Sequence, residues 1–175
     1  YNTGNVGIGT NNPTKKLEVN GDVLINGDAL INGITVGKGT GNRTYNTAFG
    51  KEALLNSSGD SNTATGSFSL RYNTTGTHNT AIGNEALEYN TTGIRNTATG
   101  QAALRNNTTG QYNTAIGDTA GDSNTDGSYN TFIGCESDTL NGSYSKSTAL
   151  GYSAKITKSD QIVLGKSDTP PEVYI

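Results

Sequence analysis

One segment of the sequence has the residue types and spacing of a calcium-binding loop. Asp122, Asn124 and Asp126 alternate and Gly127 follows them, an order that supplies side-chain oxygens at the first, third and fifth positions of such a loop. The twelfth position, where that loop has a glutamate, is Ile133. We therefore interpret the segment as an ordinary turn and keep Asp122, Asn124 and Asp126 only as candidate metal ligands.

Carboxylates suited to acid–base catalysis are spread along the chain at nearly equivalent positions of a repeat. Cleavage of a glycoside needs two carboxyl groups that face each other across the scissile bond, whereas this spacing predicts one solvated carboxylate per coil. His78 is the single histidine and belongs to no recognisable Ser-His-Asp set. We expect no enzyme activity and no cofactor. The carboxylates are Glu52, Glu85, Asp118 and Glu136.

Tyrosines occupy two recurring positions. Tyr45, Tyr112 and Tyr129 each precede Asn-Thr, and Tyr72 and Tyr89 each precede Asn-Thr-Thr-Gly. Stacked coils would align them in two short columns, where aromatic rings beside amides and hydroxyls suit sugar binding. These five residues are the candidate glycan-binding set. The alternative is that they shield coil edges or pack between subunits.

The elements that position these side chains are set by an internal repeat. Asn-Thr-Ala-x-Gly or a close variant begins at residues 46, 62, 79, 96, 113, 130 and 147, with spacings of 16 and then 17 residues. Thr favours strands and Asn and Gly favour turns, and these types supply 27, 22 and 24 of the 175 residues. Helical solenoid repeats need about 33 residues and leucine-rich repeats at least about 20. The sequence therefore predicts an all-β fold, a parallel β-solenoid with about 17 residues per coil.

The interior of such a solenoid is thin. Hydrophobic residues make up 31% of the chain, which has no Met or Trp. We expect each coil to bury one Ala, the residue after it (Phe49 in the first coil and Ile82 in the third) and one Leu. Because so little apolar surface does not offset the entropy of ordering the chain, we predict an obligate homotrimer that buries an apolar edge of each solenoid.

The N-terminal part has a different period. Asn-Gly recurs at residues 20–21, 26–27 and 32–33, and six residues span only about 20 Å when extended. Three chains that each contribute six residues would complete one turn of an interwound β-prism stalk. Hairpins with Asn-Gly turns are the alternative. The predicted organisation is a stalk at 1–42, a solenoid of seven coils at 43–165 and an exit segment at 166–175.

Charge and cysteine content exclude several classes of partner. Twelve basic and fifteen acidic residues give a net charge of -3, which is no footprint for nucleic acid, and no apolar run is long enough to insert into a membrane. Cys135 is the only cysteine, so no disulfide forms within the chain; we expect it to be buried. Sequons at Asn73, Asn90 and Asn107 are by-products of the turn consensus.

The Asn-Thr-Ala-Ile-Gly coils, together with residues 147–154 and 161–165, resemble the head repeats of trimeric autotransporter adhesins. Those heads are trimeric left-handed β-rolls, usually with a 14-residue coil, so the longer coil here implies a longer turn on one side. The entry segment, Gly4 to Thr10 followed by Pro13 and residues 16–23 and 32–37, is similar to the shafts of phage tail fibres and of fibre-like proteins from large viruses. Together the two resemblances imply a trimeric β-fibre over nearly the whole chain.

The function expected from these patterns is that of a structural and attachment segment on a virion surface, in a tail or capsid fibre, which binds host-surface glycans by avidity. Four alternatives stay open. They are a bacterial trimeric adhesin head on the cell surface, a spacer that binds nothing, a polysaccharide depolymerase spike, and an ice-binding solenoid that uses its Thr columns.

Overall fold

The computed structural model of the chain describes residues 4–20, 28–39 and 44–165. These residues form β-strands and turns and contain no helix, as predicted. None of them therefore forms a helical membrane span. The strands are β1 Val6–Ile8, β2 Leu17–Val19, β3 Ala29–Ile31, β4 Ile34–Gly37, β5 Thr47–Gly50, β6 Thr63–Thr65, β7 Thr80–Ile82, β8 Thr97–Thr99, β9 Thr114–Ile116, β10 Thr131–Ile133, β11 Asp138–Thr139, β12 Thr148–Leu150, β13 Lys155–Ile156 and β14 Ile162–Leu164.

The seven repeat strands lie side by side in one parallel sheet, so the predicted β-solenoid of about 17 residues per coil is confirmed. The sheet has ten strands in the order β14-β12-β10-β9-β8-β7-β6-β5-β4-β3. Each residue pairs with its equivalent in the next coil: Thr80 is opposite Thr97 and Ala81 opposite Ala98. Two further parallel pairs are β1 with β2 in the N-terminal part and β11 with β13 in the last coils. Identical side chains therefore form columns that run along the solenoid.

The core consists of three such columns. The strand alanines, a second Ala or Ser column and a Leu column are fully buried, for example Ala81, Ala86 and Leu87. The residue after each strand alanine was predicted to be interior and is not, since Ile82 is 44% and Phe49 53% exposed. Side chains alternate along a strand, so an inward Ala directs both of its neighbours to solvent.

Two ladders of buried asparagines satisfy the polar groups at the corners of the coils. In the first, the backbone N–H of each Asn donates to Oδ1 of its equivalent one coil earlier, at 2.8–2.9 Å. Its Nδ2 donates to the carbonyl of a residue 13 or 14 positions later, as from Asn96 to Gly110 at 2.8 Å. In the second, Nδ2 of Asn90 donates to Oδ1 of Asn73 at 2.7 Å, and the same bond joins each later pair of equivalent asparagines up to Asn124. The first ladder is Asn46, Asn62, Asn79, Asn96, Asn113 and Asn130, and the second is Asn73, Asn90, Asn107 and Asn124.

The glycine that ends each repeat strand is required by close stacking. Gly83 has φ +138°, and a Cβ at this position would overlap the carbonyl of Gly100 in the next coil. The backbone therefore turns the corner at a point where any side chain would separate the coils. This explains why a glycine stands at the same position in every coil.

Two successive coils depart from the consensus at one position each, and the two departures compensate each other. Gly121 replaces the core leucine, and Phe132 replaces the strand alanine. A Cβ on Gly121 would lie 2.7 Å from Cδ2 of Phe132 and 3.0 Å from Cδ2 of Leu104. The Phe132 ring thus fills the volume that a leucine at 121 would occupy.

The N-terminal edge of the large sheet is covered by a hairpin. Strands β3 and β4 are antiparallel, joined through Asn32 and Gly33, and β4 adds antiparallel to β5. Both turn residues have positive φ, 51° and 80°, which favours Asn-Gly in a two-residue hairpin turn. Residues 28–39 thus adopt the hairpin alternative in the single chain. The Asn-Gly steps at 20–21 and 26–27 and the predicted exit segment involve residues outside the described ranges.

Substituting Asn96 by Ala tests the first ladder. The backbone N–H of Asn113 loses its buried acceptor, whereas the carbonyl of Gly110 keeps Nδ2 of Asn107 as a donor, so we expect the free energy of unfolding, measured by chemical denaturation, to fall by about 1–3 kcal/mol. Asn84, whose side chain is exposed, supplies the matched control: Asn84→Ala should change stability by less than about 0.5 kcal/mol. Equal losses from the two variants would contradict the ladder's role.

Because Gly121 and Phe132 compensate each other, substitutions at the two positions should have non-additive effects on stability. Phe132→Ala alone leaves a cavity and should cost about 3–5 kcal/mol, and Gly121→Leu alone overpacks the coil and should cost about 1–3 kcal/mol. The double variant restores the consensus of the preceding coil, where Leu104 has φ +50°, so it should regain most of the wild-type stability. Denaturation midpoints of the four proteins measure the coupling, and simple additivity would refute compensation.

Candidate binding surfaces

The strand positions that point outward form a surface that we call the outer face. In the seven repeat strands it consists of a Thr column and, two residues later, a column of Phe, Thr, Ile and Leu. The second column holds Phe49, Thr65, Ile82, Thr99, Ile116, Ile133 and Leu150. Its apolar members are 37–53% exposed, and neither column includes a charged residue. The outer face is thus an uncharged, partly apolar strip along the solenoid.

A second surface, the corner column, borders the outer face. Its members precede a first-ladder asparagine or, in the last case, the equivalent Ser147: His78, Arg95, Tyr112, Tyr129 and Lys146. All are exposed and have φ of 55–61°. The rings of Tyr112 and Tyr129 stack with centroids 4.9 Å apart and planes at 4°. Arg95 lies 5.5 Å over the Tyr112 ring, and its Nη1 donates to the Tyr112 hydroxyl at 3.2 Å.

The other tyrosine column is tied to a network of ion pairs. Tyr72 and Tyr89 stack with centroids 5.4 Å apart. The guanidinium of Arg71 lies 4.9 Å from the rings of both Tyr72 and Phe68. The same guanidinium binds Glu52 at 2.6 Å and lies 3.7 Å from Glu88. Here the arginine links three coils rather than facing solvent.

Two carboxyl groups of this region have raised pKa values. Burial raises the pKa of Glu88, Glu85 adds to the rise, and Arg71 opposes it. Burial likewise raises the pKa of Asp122, against the attraction of Arg105, whose Nε lies 3.1 Å from Oδ1 of Asp122. Desolvation of the charged form exceeds the attraction of the paired cation at both sites.

The candidate metal ligands have separate hydrogen-bonding roles. Asn124 is fully buried in the second ladder, where Oδ1 accepts from Asn130 at 3.0 Å. Asp122 binds Arg105, and Asp126 accepts the hydroxyl of Ser143 at 2.7 Å. Among the described residues no group of three His, Cys, Asp or Glu side chains is arranged to hold a metal ion. The three candidates thus have the surroundings of repeat-turn residues.

The candidate carboxylates also have individual partners. Glu52 pairs with Arg71, Glu85 lies 3.3 Å from Arg105, and Glu136 accepts the Ser153 hydroxyl at 2.6 Å. Asp118 is exposed. Each of the three bonded carboxylates thus joins its own coil to the next one along the solenoid.

Several side chains lie where the sequence did not indicate. Cys135 is exposed rather than buried, because it follows a strand-ending glycine at an outward position. The sequon asparagines Asn73, Asn90 and Asn107 are fully buried, with their Nδ2 atoms in the ladder. Tyr45 is 72% exposed and is separated from Tyr112 by three coils of its column. The predicted stacking within the tyrosine columns is confirmed for two pairs.

Sequence reasoning missed the outer face and the cationic members of the corner column. The sequence contained the pattern that predicts the outer face. Successive side chains of a strand point to opposite faces, so Thr80 and Ile82 point outward when Ala81 is buried. The signal for the column was the 17-residue spacing of His78, Arg95 and Tyr112. Aligning the seven coils and comparing all the residues at each repeat position would have found the outer face and the corner column.

Comparisons with known proteins supply no relative. No protein-family model matches the chain, and neither the curated proteins nor the solved structures contain a significant match.

The raised pKa of Glu88 predicts a pH-dependent stability difference. A carboxyl group whose pKa is higher in the folded state stabilises the fold when protonated, and this contribution is lost as pH rises through the folded-state pKa. Glu88→Gln should therefore be more stable than wild type at neutral pH, with a difference that shrinks as pH falls toward the ordinary value of 4.5. Urea denaturation across this range measures it. A difference that does not change with pH would contradict the assignment.

Proposed function

We propose that this chain is a structural and attachment segment of a homotrimeric fibre on the surface of a phage or larger virus, and that it contacts host-cell-surface glycans. The observation that carries the proposal is the outer face. Its phenylalanine, isoleucine and leucine side chains are 37–53% exposed in one column that also contains two threonines, and an exposed apolar strip of this kind marks a surface that has a partner.

A second copy of the chain is the partner that the outer face fits best. The chain is acidic overall, with a net charge of -3, so identical chains meet with least repulsion on a surface that has no charge. The 17-residue repeat is the same on each copy. Chains placed side by side therefore match coil for coil, with the apolar column of one beside the Thr column of the next.

The size of the outer face favours three chains over two. Seven strands at about 4.8 Å each give a strip on the order of 34 Å long and 10 Å wide. That is smaller than the roughly 800 Å² that each partner contributes to a stable pairwise interface. Three chains around one axis also bury the flanks of each strip, and the closed cyclic arrangement leaves no strip unpartnered. The hairpin of residues 28–39 takes the place of that part of the predicted β-prism stalk, so the proposed trimer is built from the solenoid.

The proposed attachment to glycans depends on the repetition of exposed tyrosines along each chain and among three chains. Three chains present the same exposed tyrosines, Tyr45, Tyr72, Tyr89, Tyr112 and Tyr129, so weak contacts with a glycan combine through effective concentration. A bacterial trimeric adhesin head has the same physical basis, and a signal peptide and membrane anchor in the same polypeptide would identify that alternative. A spacer would bind no glycan, and a depolymerase would shorten polysaccharide chains.

The trimer is tested by light scattering on the purified protein. We expect a mass three times 18.1 kDa. A double variant, Ile82→Glu with Ile116→Glu, places like charges in the outer face of every chain and should convert the trimer to monomers. Asn84→Glu, at an exposed position outside that face, is the matched control and should leave the mass unchanged.

A wild-type mass near 18.1 kDa would overturn the proposed assembly. A trimer that survives the double variant but dissociates with Asn84→Glu would place the interface on a different surface. Circular dichroism of each variant establishes that the coils remain folded.

A further inference from the structure

Arg95 is the arginine of the solenoid that has no carboxylate partner. Within residues 44–165, Arg71 and Arg105 each bind two carboxylates. The Arg95 guanidinium instead donates to the Tyr112 hydroxyl and lies over its ring. Both side chains are exposed. A guanidinium that is oriented by a tyrosine and bound to no internal anion keeps its other N–H donors for an external acceptor.

Tyr112, the tyrosine next to Arg95, offers its ring edge and hydroxyl rather than a ring face. Tyr112 is covered on one face by Arg95 and stacks on Tyr129 with the other. Neutral sugars and nucleotide bases bind aromatic side chains through free ring faces, which Tyr112 lacks. Apart from the outer ring face of Tyr129, the accessible groups along this stretch are N–H donors and phenol hydroxyls. They match a ligand rich in anionic oxygen atoms.

The formal charges of the corner column between residues 78 and 146, a span of five coils, have one sign. Arg95 precedes the tyrosine pair and Lys146 follows it. The positively charged stretch ends at Asp160, which occupies the corner position after Lys146. Asp160 and Lys146 line one surface depression. Asp126, three residues before Tyr129, is bonded to the hydroxyls of its own turn and of Ser143. The stretch centred on Arg95, Tyr112 and Tyr129 is thus positive on an acidic chain.

We propose that this stretch binds an acidic carbohydrate that bears carboxylate or sulfate groups, with Arg95 as the main anion contact and the Tyr129 hydroxyl as a second donor. The inference rests on the proposed attachment function and names its ligand class. Consecutive coils place the donors at intervals of about 4.8 Å, so a polysaccharide laid along the solenoid meets one donor per coil. Three chains repeat the contact.

Binding is tested by calorimetric titration of the purified protein with dextran sulfate and oligogalacturonate, with unmodified dextran as the matched neutral probe. We expect binding of an anionic probe that weakens as salt is raised, and none of dextran. Arg95→Gln should weaken binding at least about tenfold, the effect of one lost charge-assisted hydrogen bond. Tyr129→Phe keeps the stack and should weaken binding by a smaller factor.

Lys51→Gln is the matched control, since it removes one exposed positive charge from a different position of the coil and should leave affinity unchanged. Equal loss from Lys51→Gln, or no binding of either anionic probe by folded wild-type protein, would overturn the inference. Tighter binding of single-stranded DNA would assign a nucleic acid partner instead and overturn it too.

Light scattering of the same samples separates the two proposals. A trimer that binds neither anionic probe overturns the ligand class and leaves the fibre assembly in place. A monomer that binds the probes overturns the assembly and leaves the corner column as the site. Dissociation of the trimer by Arg95→Gln would make the column an interface element, which would overturn the assignment as a binding site.

Discussion

The fold depends on hydrogen bonds between buried asparagine side chains and the backbone polar groups at the corners of the coils. A coil of 17 residues turns so often that its corners carry more backbone polar groups than its strands can pair. Buried asparagines supply the missing partners: the side-chain amide of Asn96 accepts from the backbone N–H of Asn113 and donates to the carbonyl of Gly110. An unpaired amide in this interior would cost more than its bond contributes. The ladders therefore hold the coils in a single register, and the alanine and leucine columns pack inside that frame.

The strict register explains both surfaces. When every residue lies beside its equivalent, an outward position becomes a column, and its chemistry is that of the residues at one repeat position. Threonine with isoleucine gives an uncharged strip, whereas arginine followed by two tyrosines gives a stack in which each planar group covers the next. A column tolerates a change of residue when its neighbours compensate, as Phe132 does for Gly121.

Assembly and recognition are assigned to different columns in the proposed function. The outer face has no charge and half-exposed apolar side chains, properties that suit a permanent contact between identical acidic chains. The corner column has positive charge and hydroxyls, which suit a solvated and exchangeable ligand. Arg71 and Arg105 show that arginines in this chain serve as internal links when carboxylates lie nearby, so the solvent-facing guanidinium of Arg95 differs from both in its surroundings.

The sequence by itself determined the class of fold. The 16- and 17-residue spacings and the abundance of Thr, Asn and Gly predicted a parallel β-solenoid and the tyrosine columns, because these follow from local preference and period alone. The tertiary structure decided which way side chains face and what they touch. Ile82 proved exterior, Cys135 exposed, Asn124 part of a ladder and Arg95 without a carboxylate partner, while residues 28–39 formed a hairpin. These outcomes depend on contacts between coils, and a repeat period does not specify the neighbours across a corner.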